Sequence, residues 1–350
     1  MKRILLVGGG LTAASTASLL RQSLGQQAEL VLWDKARGAG GRMSTSRSPN
    51  DGVCTADLGA QYITATPSYA ESHKKFYNDL INSGVLMPLK DSIEGERDHP
   101  EGTSHYVTPH GISSIVKHFL SVANADVQFG HHIVDVSLDG TSWKITTSSG
   151  KSELFNCVVL TMPVPQILQL KGTIAEIIEK SPEQKQKLEN VSYSSRYALA
   201  LFYKPGVKLE IPWTAKYFYD GPCIRFISVD NRKRGITDPS VGESIIVHTS
   251  VPFGLKHLEK ELKEVQPIIM EHLKEFLPDL PEPDNIKCQK WRYSQVHKPV
   301  DGTPGCMVLH QSPLLVCGGD AFTHSNMDGC LESALKLTET ICKNVSNAKV

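Results

Sequence analysis

No run of eighteen apolar residues occurs in this chain, so no segment qualifies as a membrane-spanning helix. Net charge is missing too. Lys+Arg and Asp+Glu stand at 37 each, and no general field draws the chain to nucleic acid or to an anionic lipid surface. Low-complexity blocks and lipidation motifs are also lacking. The eight cysteines (54, 157, 223, 288, 306, 317, 330 and 342) form no CxxC pair, and several lie in apolar strand-like contexts such as Cys157-Val-Val-Leu. Buried free thiols are therefore expected rather than disulfides, and with them a reducing, cytoplasmic compartment. A secretion signal is suggested by Lys2-Arg3 and the apolar run behind it, but the glycine triplet from Gly8 interrupts that run early. What remains is a 350-residue chain, enough for one large or two joined domains, suited to small neutral or mixed-charge ligands.

The most informative stretch is the first thirty-four residues. Ile4-Leu5-Leu6-Val7 runs into Gly8-x-Gly10, small residues from Thr12 to Ala17 lead to Leu19-Leu20, and Leu30-Val31-Leu32-Trp33 ends on Asp34. This reads as strand, glycine turn, helix and second strand, with Ala13 in place of the third glycine of a dinucleotide fingerprint. Gly8 and Gly10 let the backbone approach a pyrophosphate at the helix N-terminus, and the Asp34 carboxylate accepts from ribose hydroxyls. A second cluster, Gly40-Gly41-Arg42, offers backbone N–H groups and a guanidinium fork to phosphate. Asp57-Leu-Gly59-Ala-Gln61-Tyr62 supplies another tight backbone approach.

Further along, helical spacing covers 67–84, and 88–107 is a polar, charge-rich loop or edge segment. An amphipathic helix follows Gly111. Strands are expected at Val127–Phe129, Ile133–Leu138, Trp143–Thr147 and Phe155–Leu160. From about residue 170 a helix (Ile174–Leu188), strands at Tyr197–Tyr203, Cys223–Val229 and Ile245–Thr249, and a helix (Leu258–Phe276) suggest a substrate-facing domain. The strand Leu314–Cys317 then enters Gly318-Gly319-Asp320, and a last helix follows Gly329. The expected fold is α/β: a discontinuous Rossmann-like nucleotide-binding domain (1–75, 108–168 and 300–350) with a second α+β substrate domain on a mixed sheet (76–107 and 169–299). The adjacent His131 and His132 are expected on opposite faces of a strand, so they are not read as a metal pair, and no metal is assigned.

The set Gly8-x-Gly10, Asp34, Gly40-Gly41-Arg42, Asp57-x-Gly59 and Gly319-Asp320 with Gly329-Cys-Leu-Glu-Ser-Ala334 resembles the FAD-dependent oxidoreductases of the monoamine oxidase type. Ala56–Tyr62, Leu160–Pro165 and Val191–Tyr197 extend a whole-length match to one branch of them. The resemblance implies FAD, with Thr12, Arg42, Gln61 and Tyr62 among its contacts and Asp320 at its ribityl or pyrophosphate portion. It places the positive end of the helix after Gly329 toward the flavin ring. No counterpart of the family's flavin-attaching cysteine motif is present, so FAD is expected to be non-covalent. Cys330 stands where monoamine oxidases place a tyrosine of the amine cage.

The same resemblance implies oxidation of 1,2- and 1,6-dihydro isomers of NAD(P) to NAD(P)+, with O₂ giving hydrogen peroxide. Such hydride transfer leaves the side chains little to do beyond placing the donor, so no acid–base residue is assigned. Tyr62, His248 and Trp291 are expected to line the substrate pocket. Two other readings stay open: a catecholamine or amine oxidase, and a secreted signalling protein with structural FAD. Secretion is also how that branch is described, against the intracellular reading from cysteine content.

Overall fold

Leu5, Leu6, Val31, Leu32, Val158 and Val159 are each inaccessible to solvent. Apolar residues hidden on both faces are the signature of a parallel sheet covered on two sides, and the first strands build one. The computed structural model describes residues 2–347. Its first six-stranded sheet runs, in spatial order, Cys306–His310, Leu314–Gly318, Cys157–Leu160, Lys2–Val7, Ala28–Asp34 and Asp126–Phe129. Only the Cys306–His310 edge is antiparallel. Lys2–Val7 pairs with Ala28–Asp34 on one side and Cys157–Leu160 on the other, with Val7 opposite both Trp33 and Leu160. The strand order therefore reverses around the first strand, and ligands of open α/β sheets bind outside the carboxyl ends at such a switch point.

The helix Leu11–Leu24 buries Ala13, Ala17 and Leu20 against Ile4, Leu6, Leu30 and Leu32, and the helix Met327–Asn347 adds Leu337, Ile341 and Val345 to the same core. Ala13 is thus a packing residue whose small side chain lets helix and strand close up.

The chain forms two compact units. One comprises Met1–Gly41, Val116–Ser192 and Val296–Val350; the other comprises Arg42–Ile115 and Tyr193–Gln295. These bounds differ from those read from sequence. Residues 42–75 belong with the second unit because Cys54, Ala56 and Leu58 pack on Ala198, Ala200, Phe202 and Ile246. Residues 169–192 belong with the first, where the Lys171 carbonyl accepts from Val136 and Gln184 donates to the Val308 carbonyl.

The second unit is built on a mixed sheet ordered Asn285–Trp291, Arg196–Phe202, Ser244–Thr249, Ile224–Val229, Ala215–Tyr217 and Ile93–Glu94. One face carries Leu199, Leu201 and Val247 against the helix Leu262–Phe276, whose first turn is closed by a capping box between Glu261 and Glu264. The opposite face carries the small Ala198 and Ala200 and receives residues 54–58.

Three local readings are corrected, and a fourth, the loop or edge segment at 88–107, is made specific. Phe155–Leu160 is two strands in different sheets, divided at Asn156, whose amide and side chain both bond to Arg3. Ile174–Leu188 is two helices, Thr173–Glu179 and Pro182–Glu189, because the ring of Pro182 cannot continue the first. Within 88–107 lie the strands Ile93–Glu94 and Ser104–Val107. His131 and His132 precede the strand Ile133–Asp139 instead of lying on it, and the His131 ring rests 5.0 Å from that of Trp33.

Candidate functional site

In the first unit, glycines gather where the central strands end. Gly8 has φ +119°, and a Cβ there would fall 2.5 Å from Thr161 Oγ1, which itself donates to the Val7 carbonyl at 2.9 Å. Leu160 pairs with Cys317, so the turn at Gly318-Gly319 arrives at the same sheet edge. The Gly319 amide donates to Ser333 Oγ at 2.8 Å, and Ser333 Oγ donates to the Gly305 carbonyl at 2.6 Å.

The helix Leu11–Leu24 starts without a side-chain cap, and nothing lies within 4 Å of a Cβ built on Gly10. Gly41 approaches closely, its built Cβ 3.4 Å from Gly10 Cα. Uncapped N–H groups above an open glycine surface fit a pyrophosphate. The Asp34 carboxylate accepts from the Gly9 amide and, at 2.5 Å, from the Ala36 amide, so it holds the glycine turn as well as facing the cradle. Thr12 is buried within the helix. Asp320 is buried and accepts from Ser325 Oγ at 3.0 Å, which in turn accepts from the Val296 amide. At Gly329 a Cβ would lie 2.0 Å from the His324 carbonyl, and its amide is capped by Asn326 Oδ1 at 2.8 Å.

The second unit brings His248 and Trp291 to one oxygen, with Gln61 beside the His248 ring. The Leu58 carbonyl accepts from Trp291 Nε1 at 2.9 Å and lies 3.1 Å from His248 Nε2. A carbonyl can only accept, so His248 carries its proton on Nε2. Burial, then the nearby Arg196 cation, push its pKa down to about 4 despite the bond to Leu58, and the ring is neutral at physiological pH. Gln61 Nε2 lies 3.4 Å from His248 Nε2 and donates to the Asp57 and Gly59 carbonyls. Gln61 Oε1 accepts from Lys233 Nζ at 2.7 Å and Ser228 Oγ at 3.2 Å.

Behind Gln61 is a closed set of charges. Lys233 Nζ is 2.6 Å from Asp230 Oδ1, and both side chains are fully buried. Arg234 donates to Asp230 Oδ2 at 3.1 Å and lies 4.0 Å from Asp57, which also accepts from Thr45 Oγ1 and the Ile112 amide. Burial and then the Asp230 charge raise the Asp57 carboxyl, while the two cations overcome burial at Asp230 and hold it low. Arg42 enters this unit through its backbone: its carbonyl accepts from the Ala60 amide at 3.0 Å, and a Cβ on Gly59 would fall 1.9 Å from that oxygen. Tyr62 shares a 2.8 Å bond with the Tyr217 hydroxyl and reaches Glu96 Oε1 at 3.0 Å. Burial, the Tyr217 hydroxyl and the Glu96 charge all favour its protonated phenol.

Of the residues singled out in sequence, Gly8, Gly10, Ala13, Asp34, Gly41, Asp320 and Gly329 fall in the first unit, as does the buried Thr12, whereas Arg42, Gln61, Tyr62, His248 and Trp291 fall in the second. Sequence reasoning missed Lys233 and Ser228, which donate to Gln61, and Asp230, which pairs with Lys233. Asp230-Asn-Arg-Lys-Arg234 holds three cations in five residues, a composition that does not announce burial.

Two family profiles match the chain: an NAD(P)-binding Rossmann-like domain over residues 6–80 and a flavin-containing amine oxidoreductase over residues 83–342. The chain belongs to the flavin-containing amine oxidoreductase family and is a flavin oxidoreductase. It is 46% identical over 341 residues to renalase of Mus musculus, a match spanning 97% of this chain and 99% of that protein. Its fold is shared with a putative protoporphyrinogen oxidase from Exiguobacterium sp. 255-15 (TM-score 0.71, 13% identity, 97% and 98% of the two chains). Putrescine oxidase, solved with putrescine bound, also shares it (TM-score 0.64, 11% identity, 98% and 99%). Among the described residues no helix is long and apolar enough to cross a membrane.

Proposed function

We propose that this chain binds FAD non-covalently and oxidises the 1,2- and 1,6-dihydro isomers of NAD(P) to NAD(P)+, with O₂ reduced to hydrogen peroxide. The observation that carries the reading is the state of the polar cluster of the second unit, joined to the whole-length similarity to renalase. His248 is neutral, Tyr62 keeps its proton, and the charges behind Gln61 are paired with one another. Such a cluster binds and orients a substrate without trading protons with it. A dihydropyridine that loses hydride becomes an aromatic cation, so its oxidation asks for placement and little else.

Bound FAD supplies the hydride acceptor. In this reading Gly8, Gly10 and Gly41 admit its pyrophosphate to the open helix end, Asp34 takes the adenine ribose, and Arg42 offsets phosphate charge. Thr12 and Asp320 shape the cradle, and Gly329 sets the start of the last helix. Gln61, Tyr62, His248 and Trp291 orient the substrate. The eight cysteines are all free, which fits a reducing compartment.

An amine-oxidase reading draws on the family profile and on putrescine oxidase, but Cys330 stands at the place of the cage tyrosine. Anaerobic mixing of the purified holoprotein with each candidate reductant, followed at the flavin absorbance, tests the proposal. Bleaching by the dihydronicotinamides supports it, and an unchanged spectrum overturns it.

A further inference from the structure

Beside Tyr62, in the segment read from sequence as a polar loop or edge segment, Glu96, His99 and His105 turn their donor atoms toward one point. Glu96 Oε1 is 3.3 Å from His99 Nε2, and Glu96 Oε2 is 3.5 Å from His105 Nε2. All three donor atoms lie within 4.8 Å of one another. We infer that these three side chains form a binding site for one first-row divalent cation of the zinc class, with a fourth position open to water or to a small-molecule donor.

The two Glu96–histidine distances suit that cation. Nitrogen and oxygen ligands at roughly 2.0–2.1 Å around a tetrahedral centre stand about 3.4 Å from one another. Two imidazoles and one carboxylate favour zinc, copper or nickel over magnesium or calcium, which ask for oxygen ligands. Three protein ligands with one open position also match the catalytic rather than the closed structural pattern.

Strand pairing positions the chain on either side of the cluster independently of any ion. The strand Ile93–Glu94 pairs with Ala215–Lys216, and Gly95 turns out of it with φ +69°, its carbonyl accepting from the Tyr219 hydroxyl at 2.9 Å. Glu96 and His99 follow in the irregular segment after it. His105 comes from the strand Ser104–Val107, in register with Thr64 of Ile63–Ala65.

Outer partners complete the site. His105 Nδ1 is 3.1 Å from Thr64 Oγ1, a hydroxyl that can either donate or accept, so Nε2 can exchange its proton for a metal bond. The Tyr62 hydroxyl steadies Glu96 at 3.0 Å, and the His99 and His105 rings meet edge to face at 5.1 Å.

Chelator-treated holoprotein would be titrated with Co²⁺, followed by visible absorption at wavelengths beyond the flavin bands, and the Co²⁺ then displaced with Zn²⁺. One ion per chain with tetrahedral cobalt bands is expected. His99→Ala and His105→Ala should abolish them, and Thr64→Val should weaken binding by about tenfold or more. His99 is exposed, so its variant is expected to fold, which circular dichroism and flavin content would confirm. Absence of cobalt bands, or bands that persist in folded His99→Ala and His105→Ala, would overturn the inference; thiolate charge-transfer bands would place the ion on cysteines instead.

Discussion

Replacing Lys233 by Met keeps most of the side-chain volume and removes one buried charge. In the native protein Asp57 and Asp230 face Lys233 and Arg234, two negative groups against two positive ones, and all four residues are buried. The variant leaves that cluster one cation short and removes the donor to Gln61 Oε1, which keeps only Ser228. Breaking a buried pair by deleting one partner costs roughly 3–5 kcal/mol. That is a large share of a typical stability of about 5–15 kcal/mol. Denaturant unfolding at fixed FAD concentration measures it, since bound cofactor adds its own stabilisation.

The pH dependence carries a sign. Loss of the cation raises the folded pKa of Asp57 and Asp230 relative to the wild type, and Asp57 already lies above its ordinary value. A carboxyl whose folded pKa exceeds its unfolded one contributes stability that is fully present below the unfolded value and lost as pH rises through the folded one. The deficit of the variant is therefore greatest at neutral pH and narrows as pH falls toward the ordinary carboxylate range near 4. A loss under about 1 kcal/mol, or one that does not change with pH, would refute the charge accounting.

Gly59→Ala should yield little folded protein, or lose on the order of 3 kcal/mol, because its Cβ would meet the Arg42 carbonyl at 1.9 Å; expression and thermal unfolding report it. Asp34→Ala removes the acceptor for the Gly9 and Ala36 amides, each a charge-assisted bond worth roughly 1.5–3 kcal/mol, so FAD should dissociate far more readily on dilution. Once saturated with FAD, that variant should be reduced within about twofold of the wild-type limiting rate. His248→Asn should raise the substrate dissociation constant more than it lowers the limiting rate, and a large fall in that rate alone would show a proton-handling role for the ring.

How much of this was legible in sequence follows from how local each signal is. Gly8, Gly10 and Asp34 belong to one βαβ unit whose strand, turn and helix are all announced by neighbouring residues, and Gly319-Asp320 lies at the exit of an equally apolar strand. The Asp230–Lys233–Gln61 chain was not legible, since Gln61 is 172 residues from Lys233 and only the fold buries the adjacent Asp230–Lys233 pair against it. Trp291 was picked out, but the strand Asn285–Trp291 beneath it was not, because an edge strand with Lys287 and Lys290 lacks the apolar alternation of a central one. Glu96, His99 and His105 likewise lie in a charge-rich stretch, and the turn at Gly95 and the register of His105 with Thr64 bring them together.

The central claim is tested most directly by anaerobic rapid mixing of the holoprotein with 1,2- or 1,6-dihydro-NAD(P) and, in parallel, with a catecholamine, each followed by flavin bleaching. Fast, complete reduction by the dihydronicotinamide with NAD(P)+ as product is expected, and slow or no reduction by the amine. Equal rates for the two, or reduction by the catecholamine alone, would contradict that claim and put the amine-oxidase reading in its place.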